Sequence, residues 1–240
     1  MIDAFRAMAQ HQRVMVVAAH PDDIEWGAAG TVARLTDAGK QVVYVLATRG
    51  EAGSENPDLT PEQVGVLREQ EEMAAASEVG VDVVEFLGFP DSQVYYGPKL
   101  RKAIARTMRK HQPEVVITFN YEATWPGGHL NHADHRHLGQ AAVDALMDAS
   151  LRSAFPEMLA EGLQAWRGCK LLLLAGVADP NAWVDTSPVI DRAVTSLAAH
   201  RSYLAELKLE ADQVARGRTA ELGQQHGVSY AEEFRIHTLG

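Results

Sequence analysis

The stretch Val14-Met15-Val16-Val17-Ala18, followed by Ala19-His20-Pro21-Asp22-Asp23, decides the fold. A continuous apolar run that ends at a proline is typical of a buried strand, because proline cannot donate to a strand's hydrogen-bond ladder. One imidazole and two carboxylates therefore lie where this strand opens into a loop. In an open α/β sheet, ligands bind at that edge. His20 and Asp23 are residue types that bind divalent metals, and Asp22 remains for proton transfer.

Further apolar runs predict more strands, over residues 42–47, 83–87, 115–119, 171–174 and 182–184. Near-continuous apolar strands are typical of a sheet that helices cover on both faces. Helical patterns separate these runs along the chain. The alternation predicts an α/β fold with a doubly wound, mostly parallel, Rossmann-like sheet.

The clearest helix begins at Thr60-Pro61-Glu62-Gln63, which combines an N-cap, a proline at the first helical position and a capping-box glutamine. This helix is predicted over 61–79. Further helices are predicted over 100–110 and 133–147, after Thr186-Ser187-Pro188, and as one last amphipathic helix over 203–218. Residues 120–131 are irregular, and a loop of this length inside a domain is usually functional. No repeat or linker interrupts the chain, so one domain over residues 1–240 is predicted.

The composition restricts the partners. A net charge of −10 argues against nucleic acid or an anionic membrane, since both favour a basic surface. The single cysteine, Cys169, excludes an intrachain disulfide framework and is typical of a reducing compartment. No stretch has the pattern of a secretory signal or the length and apolarity of a membrane span. We therefore expect a soluble cytoplasmic protein that acts on a small molecule; assembly into a homo-oligomer stays open.

Four histidines lie within residues 129–137. Apolar positions of the helix that follows fall three, seven and eleven residues after His135, so His135 is expected to point toward the core. His132 lies three residues earlier and shares that face if the helix extends so far. His137 is out of phase with the face and is expected to meet solvent.

An inward His135 could reach the end of the first strand and join His20 and Asp23. Two imidazoles and one carboxylate with an open position form the ligand set of a catalytic zinc site rather than of a closed structural one. Taken singly, each feature has an ordinary interpretation. A lone inward histidine is usually a hydrogen-bonded core residue, and an aspartate pair at a strand end is usually a cap or a turn.

The pair of motifs Ala19-His20-Pro21-Asp22-Asp23 and His132-Ala133-Asp134-His135 resembles the LmbE-like, or PIG-L, family of zinc-dependent de-N-acetylases. That family removes acetyl groups from N-acetylglucosaminyl substrates. Further matches are Gly30-Thr31, Thr48-Arg49-Gly50-Glu51, Arg68-x-x-Glu71, Phe89-Pro90-Asp91, Val184-Asp185 and Ala199-His200-Arg201-Ser202. The resemblance implies a hydrolase that releases acetate and a free amino sugar, with Zn²⁺, or else Fe²⁺ or another divalent ion, as its cofactor.

The resemblance also implies a role for eight residues: metal ligands His20, Asp23 and His135; general base Asp22; catalytic His132 with its orienting carboxylate Asp134; and sugar-hydroxyl contacts Arg68 and Asp91. Two positions depart from the family pattern. Ala133 stands where the family usually has proline, and Ile24 stands where it often has glutamate, with Glu25 following. Neither departure removes a catalytic group, so they bear on the identity of the substrate.

Two other functions share this ligand set. The facial triad of non-haem iron oxygenases also has two histidines and one carboxylate. An oxygenase would leave Asp22 without a role. The α/β pattern of this sequence also differs from the β-rich barrel of such oxygenases. A non-catalytic metal- or sugar-binding module would likewise leave the presence of Asp22, His132 and Asp134 unexplained.

Overall fold

The computed structural model describes all 240 residues, and a single eight-stranded sheet runs through it. Its strands are β1 (Ile2–Asp3), β2 (Arg13–Ala18), β3 (Gln41–Leu46), β4 (Val83–Phe86), β5 (Val115–Phe119), β6 (Leu171–Ala175), β7 (Ala182–Asp185) and β8 (Ala231–Thr238). They lie in the order β1-β7-β8-β6-β5-β2-β3-β4. All are parallel except β8, which pairs antiparallel with β6 and β7.

β2 lies inside the sheet, with β3 on one side and β5 on the other. Its side chains from Val14 to Ala18 are at most 2% exposed. Val14, Val16 and Ala18 pack into the core on one face, and Met15 and Val17 pack into a separate core on the other. Because a strand's side chains alternate between faces, both faces of β2 are covered. The predicted doubly wound α/β fold is confirmed.

Helices cover the two faces. They are α1 (Ala4–Ala7), α2 (Asp23–Gly27), α3 (Ala29–Asp37), α4 (Pro61–Glu78), α5 (Pro98–His111), α6 (Ala133–Ser150), α7 (Glu157–Ala160), α8 (Ile190–Ala198), α9 (Arg201–Leu207) and α10 (Ala211–His226). The capping box predicted for α4 is present, with Thr60 and Gln63 bonding each other's backbone N–H groups. A 3₁₀ turn over Ser187–Val189 leads into α8. None of the helices combines the length and the apolar character that crossing a membrane requires.

The prediction of one last helix over 203–218 is wrong. Lys208, at φ 55°, adopts the left-handed conformation and ends α9, and α10 begins three residues later. The apolar residues Leu204 and Leu207 keep helical spacing with those of α10, so periodicity alone does not register the break. Lys208 is a residue type that does not mark a helix end as glycine does.

Two strands were not predicted. β1 is only two residues long, too short for any apolar pattern. β8 reads Ala-Glu-Glu-Phe-Arg-Ile-His-Thr, and its charged residues obscure an alternation in which Phe234 and Ile236 are buried. The side chain of Glu232 on this strand accepts hydrogen bonds from the Gly30 and Thr31 backbone N–H groups, so β8 also caps the start of α3.

Close packing of α6 against the end of β5 predicts a stability difference between two helical glycines. A Cβ atom at Gly139 of α6 would lie 2.6 Å from the Phe119 carbonyl oxygen, whereas one at Gly217 of α10 would meet nothing within 4 Å. Gly139→Ala should therefore lower the free energy of unfolding by about 1–3 kcal/mol. Gly217→Ala should raise it by about 0.5–1 kcal/mol, because alanine loses less backbone entropy in a helix. Urea denaturation measures both, and a shift of the same sign in the two variants would contradict this packing.

Candidate active site

A cavity of about 640 Å³ opens at the carboxyl ends of the parallel strands. His20, Asp22 and Asp23 follow β2, Asp91 follows β4, and the loop over 120–132 follows β5. β2 and β5 are neighbours in the sheet. The chain passes from β2 to β3 on one side of this pair and from β5 to β6 on the other, so this is the switch point of the sheet, where α/β folds bind ligands. Seven of the eight predicted site residues line the cavity: His20, Asp22, Asp23, Arg68, Asp91, His132 and His135. The eighth, Asp134, is fully buried beneath it.

The loop after β2 holds the Asp23 carboxylate in place. Asp23 Oδ2 accepts hydrogen bonds from the backbone N–H groups of Ala19 and His20, both at 2.9 Å. Asp23 Oδ1 faces the second motif and lies 3.1 Å from His135 Nε2. His20 Nδ1 lies 3.1 Å from the same His135 nitrogen. The ligand-type atoms of these three residues all lie within 4.8 Å of one another, as the sequence predicted for a shared ion.

The far ring nitrogen of His20 determines its tautomer. His20 Nε2 lies 3.1 Å from Asp91 Oδ1 and 3.3 Å from Asp134 Oδ2. Carboxylate oxygens only accept, so Nε2 carries the proton of the neutral ring. His20 Nδ1 therefore presents a lone pair to the site.

The tautomer of His135 follows in the same way. His135 Nδ1 lies 3.0 Å from Asn131 Oδ1. The orientation of that amide is set by its other end, because Asn131 Nδ2 donates to the carbonyl oxygens of Asn120 and Glu122. His135 Nδ1 thus carries a proton and donates it to Asn131, and Nε2 presents its lone pair to the site.

This donor set fits a divalent cation. Two imidazole lone pairs and one carboxylate oxygen converge at distances of 3.1 Å and repel one another unless a positive charge lies between them. Two nitrogens and one oxygen with room beside them is the ligand set of a catalytic zinc ion. Asp91 and Asn131 hold the outer nitrogens of the two rings, as the partners of metal-bound histidines do.

The pKa shifts of His20 and Asp23 also indicate that this site favours positive charge. Burial disfavours a charged His20, but the carboxylates of Asp134, Asp23 and Asp91 outweigh it and raise the pKa of this histidine well above its ordinary value. Burial would raise the pKa of Asp23, yet the adjacent His135 and His20 hold it well below its usual range. The site therefore stabilises positive charge between its acidic groups.

Asp22 lines the same cavity as His20, Asp23 and His135 and is held on both carboxylate oxygens. Asp22 Oδ1 accepts a hydrogen bond from Arg68 Nη2 at 2.8 Å, and Oδ2 accepts one from Trp26 Nε1 at 3.0 Å. Its backbone N–H donates to Glu72 Oε2 at 3.1 Å. Burial raises the pKa of Asp22, and the Arg68 charge opposes this rise. The carboxylate is thus desolvated but paired.

Arg68 is placed differently from a simple sugar contact. It lines the cavity but is only 4% exposed, and its guanidinium also donates to the Pro21 carbonyl oxygen. The guanidinium carbon stands 4.2 Å from the centre of the Tyr203 ring. Arg68 therefore holds the turn that contains Asp22, in addition to facing the cavity.

Glu25, Glu72 and His200 form a buried cluster behind Asp22, which sequence reasoning missed. His200 Nε2 lies 3.3 Å from Glu25 Oε2 and 3.7 Å from Glu72 Oε2. Burial raises the pKa of Glu25 to about 8 and that of Glu72 well above its ordinary value. Their ligand-type atoms also lie within 4.8 Å of one another, but none of the three lines the cavity. The sequence signals were the match of 199–202 to a family motif and Glu25 next to a position where the family often has glutamate.

His132 is the N-cap of α6, and its Nδ1 accepts the Asp134 backbone N–H at 3.3 Å. Its side chain is 47% exposed. The Asp134 carboxylate lies closer to His20 Nε2, at 3.3 Å, than to His132 Nδ1, at 4.0 Å.

The prediction that His137 meets solvent is wrong, because the residue is half-buried and its Nδ1 lies 2.7 Å from the Val94 carbonyl oxygen.

The irregular loop over 120–131 forms one wall of the cavity. A bridge between Thr124 and Leu130 closes it on itself, and Trp125 and Pro126 face the cavity. The Trp125 ring packs over Gly176, where a Cβ would lie 2.5 Å from the ring, and stands edge-on to His135 at 5.5 Å. Trp26, Trp125, Tyr203 and Arg218 also line the cavity, and no motif in the sequence marks them.

Comparison with known proteins finds deacetylases among the relatives of this chain. The GlcNAc-PI de-N-acetylase (PIG-L) family model matches residues 15–146. Diacetylchitobiose deacetylase of Thermococcus kodakarensis is 29% identical over 226 residues, which cover 94% of this chain and 83% of that protein. A probable N-acetyl-α-D-glucosaminyl L-malate deacetylase 2 of Bacillus cereus is 29% identical over 196 residues, covering 80% and 83%.

A solved structure shows the same arrangement of the chain. N,N′-diacetylchitobiose deacetylase from Pyrococcus horikoshii superposes with a TM-score of 0.86 at 26% identity. The match covers 96% of this chain and 85% of that one.

The buried pair of Arg68 with Asp22 predicts a stability effect. Arg68→Met should cost about 3–5 kcal/mol of unfolding free energy, because it leaves the Asp22 charge buried without its partner. The double variant Arg68→Met with Asp22→Asn should recover part of that loss. Arg216→Met, which removes an arginine paired with Asp191 and Asp212 at the surface, should change stability far less. Urea unfolding at neutral pH measures all three, and equal losses for Arg68 and Arg216 would contradict the pairing.

Proposed function

Because the chain belongs to the GlcNAc-PI de-N-acetylase (PIG-L) family, we propose that it removes the N-acetyl group from a small N-acetylglucosaminyl-type substrate. The products are acetate and a free amino sugar. The observation that carries the proposal is the convergence of His20 Nδ1, His135 Nε2 and Asp23 Oδ1 beside the paired carboxylate of Asp22. The activities of the relatives from Thermococcus and Bacillus support the reaction type.

His20, Asp23 and His135 would hold the divalent ion, for which we propose zinc, with Fe²⁺ or another divalent ion as the alternative. When bound, such an ion polarises the amide carbonyl and lowers the pKa of a water molecule. The chain's own residues then have to hold that water, move its proton and receive the charge that develops on the carbonyl oxygen.

Asp22 is the proposed general base. Its carboxylate borders the cavity beside the ligand set, and burial raises its pKa toward the range in which a carboxyl can both accept and release a proton. Arg68 and Trp26 fix the direction of its two oxygens. We propose that Asp22 takes the proton of the attacking water and passes it to the leaving amine.

His132 is the proposed donor to the developing oxyanion. Since its Nδ1 accepts the Asp134 N–H, the neutral ring carries its proton on Nε2. That proton is available to the cavity, which the residue lines. We propose that Asp134 orients both rings, His20 through its carboxylate and His132 through its backbone N–H.

Arg68 and Asp91 are the proposed contacts for sugar hydroxyl groups, since both line the cavity. Each also supports a catalytic group, Arg68 through Asp22 and Asp91 through His20. Their replacement is therefore expected to affect turnover as well as substrate binding.

We propose that residues 1–240 form one deacetylase domain, since one sheet includes strands from both ends of the chain. The paired, desolvated Asp22 favours a hydrolase over an oxygenase or a binding module, neither of which uses a base there. The cytoplasmic location stays a prediction from the sequence.

The proposed activity predicts metal-dependent acetate release. Purified protein should release acetate from at least one member of a panel containing N,N′-diacetylchitobiose, N-acetylglucosaminyl L-malate and N-acetylglucosaminyl inositol. A chelator should abolish the release without unfolding the domain, because three ligands hold a catalytic ion less tightly than a closed structural site. Added zinc should restore it. Dioxygen consumption in place of acetate release would sink the hydrolase assignment.

Variants of the two adjacent aspartates should differ in metal content. Asp23→Ala should lose the bound ion, because it removes a ligand. Asp22→Asn should keep the ion and lose roughly 10²- to 10⁴-fold in kcat, the usual effect of removing a positioned general base. Elemental analysis and steady-state kinetics on the two variants measure both. Full metal content in Asp23→Ala together with a metal-free Asp22→Asn would reverse the two roles.

A further inference from the structure

The substrate cleft continues beyond the metal ligands. A second cavity of about 230 Å³ lies beside the first and is lined in part by α10 and β8. Five residues line both cavities: Trp26, Gly27, Pro126, Gly176 and Arg218. The two cavities are therefore parts of one cleft. A substrate with its N-acetyl sugar beside the metal ligands has room to extend toward α10.

Two arginines line the larger cavity, and only one of them has its charge paired with a carboxylate. Arg68 is paired with Asp22 at 2.8 Å. The guanidinium of Arg218, on α10, has no carboxylate oxygen within 4.0 Å and makes no hydrogen bond to protein. Its charge therefore faces the cleft without an anionic partner.

The Arg218 side chain is exposed at the cleft, so a ligand can reach its charge. The one carboxylate whose charge acts on it, Glu232, lies more than 4.0 Å away. The Glu232 carboxylate already binds other groups, since its two oxygens accept hydrogen bonds from the Gly30 and Thr31 N–H groups at 2.8 Å. An anion arriving from the cleft would be the first direct partner for Arg218.

We infer that Arg218 binds an anionic group, a carboxylate or a phosphate, on the part of the substrate that extends away from the N-acetyl end. This inference rests on the proposed deacetylation and names the substrate class for it. The planar guanidinium fork matches both anions with two parallel hydrogen bonds. Glu221 and Glu233 line the outer cavity and repel an anion that moves past Arg218. The anionic group is thereby confined to the junction of the two cavities.

A solvated surface arginine is the ordinary alternative, and the same helix supplies the control for it. Arg216 lies two residues earlier on α10, is paired with Asp191 and Asp212, and lines neither cavity. Arg216→Gln removes the same charge from the same helix without touching the cleft. A general effect of net charge would appear in both variants, and a contact with substrate would appear in Arg218→Gln alone.

The test compares substrates that differ in charge. N-acetylglucosaminyl L-malate is paired with its dimethyl ester, and N-acetylglucosamine 1-phosphate with methyl N-acetylglucosaminide. For an anionic member, Arg218→Gln should lose about tenfold or more in kcat/KM, chiefly through KM, as expected for one charge-assisted contact. The neutral members should change less than about twofold, Arg218→Lys should keep part of the activity, and Arg216→Gln should match wild type.

A loss of activity for the malate conjugate alone identifies a carboxylate site, and a loss for the sugar phosphate alone identifies a phosphate site. Equal losses for charged and neutral members, or no loss, overturn the inference. If wild type releases acetate from none of the four, calorimetric titration with the malate conjugate and the sugar phosphate decides the inference instead. The proposed function fails only if N,N′-diacetylchitobiose and N-acetylglucosaminyl inositol also release no acetate. Binding of either the malate conjugate or the sugar phosphate at least tenfold weaker to Arg218→Gln supports the inference, whereas equal affinity, or no binding of either compound to wild type, overturns it.

Discussion

Two adjacent carboxylates, Asp22 and Asp23, have to face different partners, and the rest of the site depends on how the chain achieves this. Asp22 adopts φ 91°, in the left-handed region that residues other than glycine rarely occupy. This turn directs Asp23 toward His135 and Asp22 toward Arg68. An ordinary helical or extended residue at position 22 would not separate the two carboxylates in this way.

The turn costs energy, of the order of 1–3 kcal/mol for a residue held in such a conformation. Contacts from other parts of the chain hold it in place. Glu72 of α4 accepts the Asp22 N–H, Arg68 of α4 binds both Pro21 and Asp22, and Trp26 of α2 donates to Asp22 Oδ2. Behind them, His200 lies against Glu72 and Glu25. A strained residue fixed from several elements is typical of a functional site, and it places two acidic groups with different tasks within one turn.

The sequence predicted the central architecture well because buried parallel strands are almost purely apolar. The runs 14–18 and 115–119 mark β2 and β5, and the proline and histidine motifs mark the edge at which the site lies. Periodicity also indicated correctly that His135 points inward. What the sequence did not indicate depends on tertiary contacts: Lys208 ends α9 in a left-handed conformation, and the charges of β8 obscure its alternation. Likewise, the pairing of Arg68 with Asp22, and the positions of Trp26, Trp125 and Arg218 in the cleft, follow from packing between distant segments that no local pattern records.

The central claim is that His20, Asp23 and His135 bind the ion, and anomalous X-ray diffraction from zinc-loaded crystals tests it most directly. The account predicts one strong peak about 2.0–2.2 Å from His20 Nδ1, His135 Nε2 and an Asp23 carboxylate oxygen. A peak between Glu25, Glu72 and His200, or one bound through His20 Nε2, would contradict it.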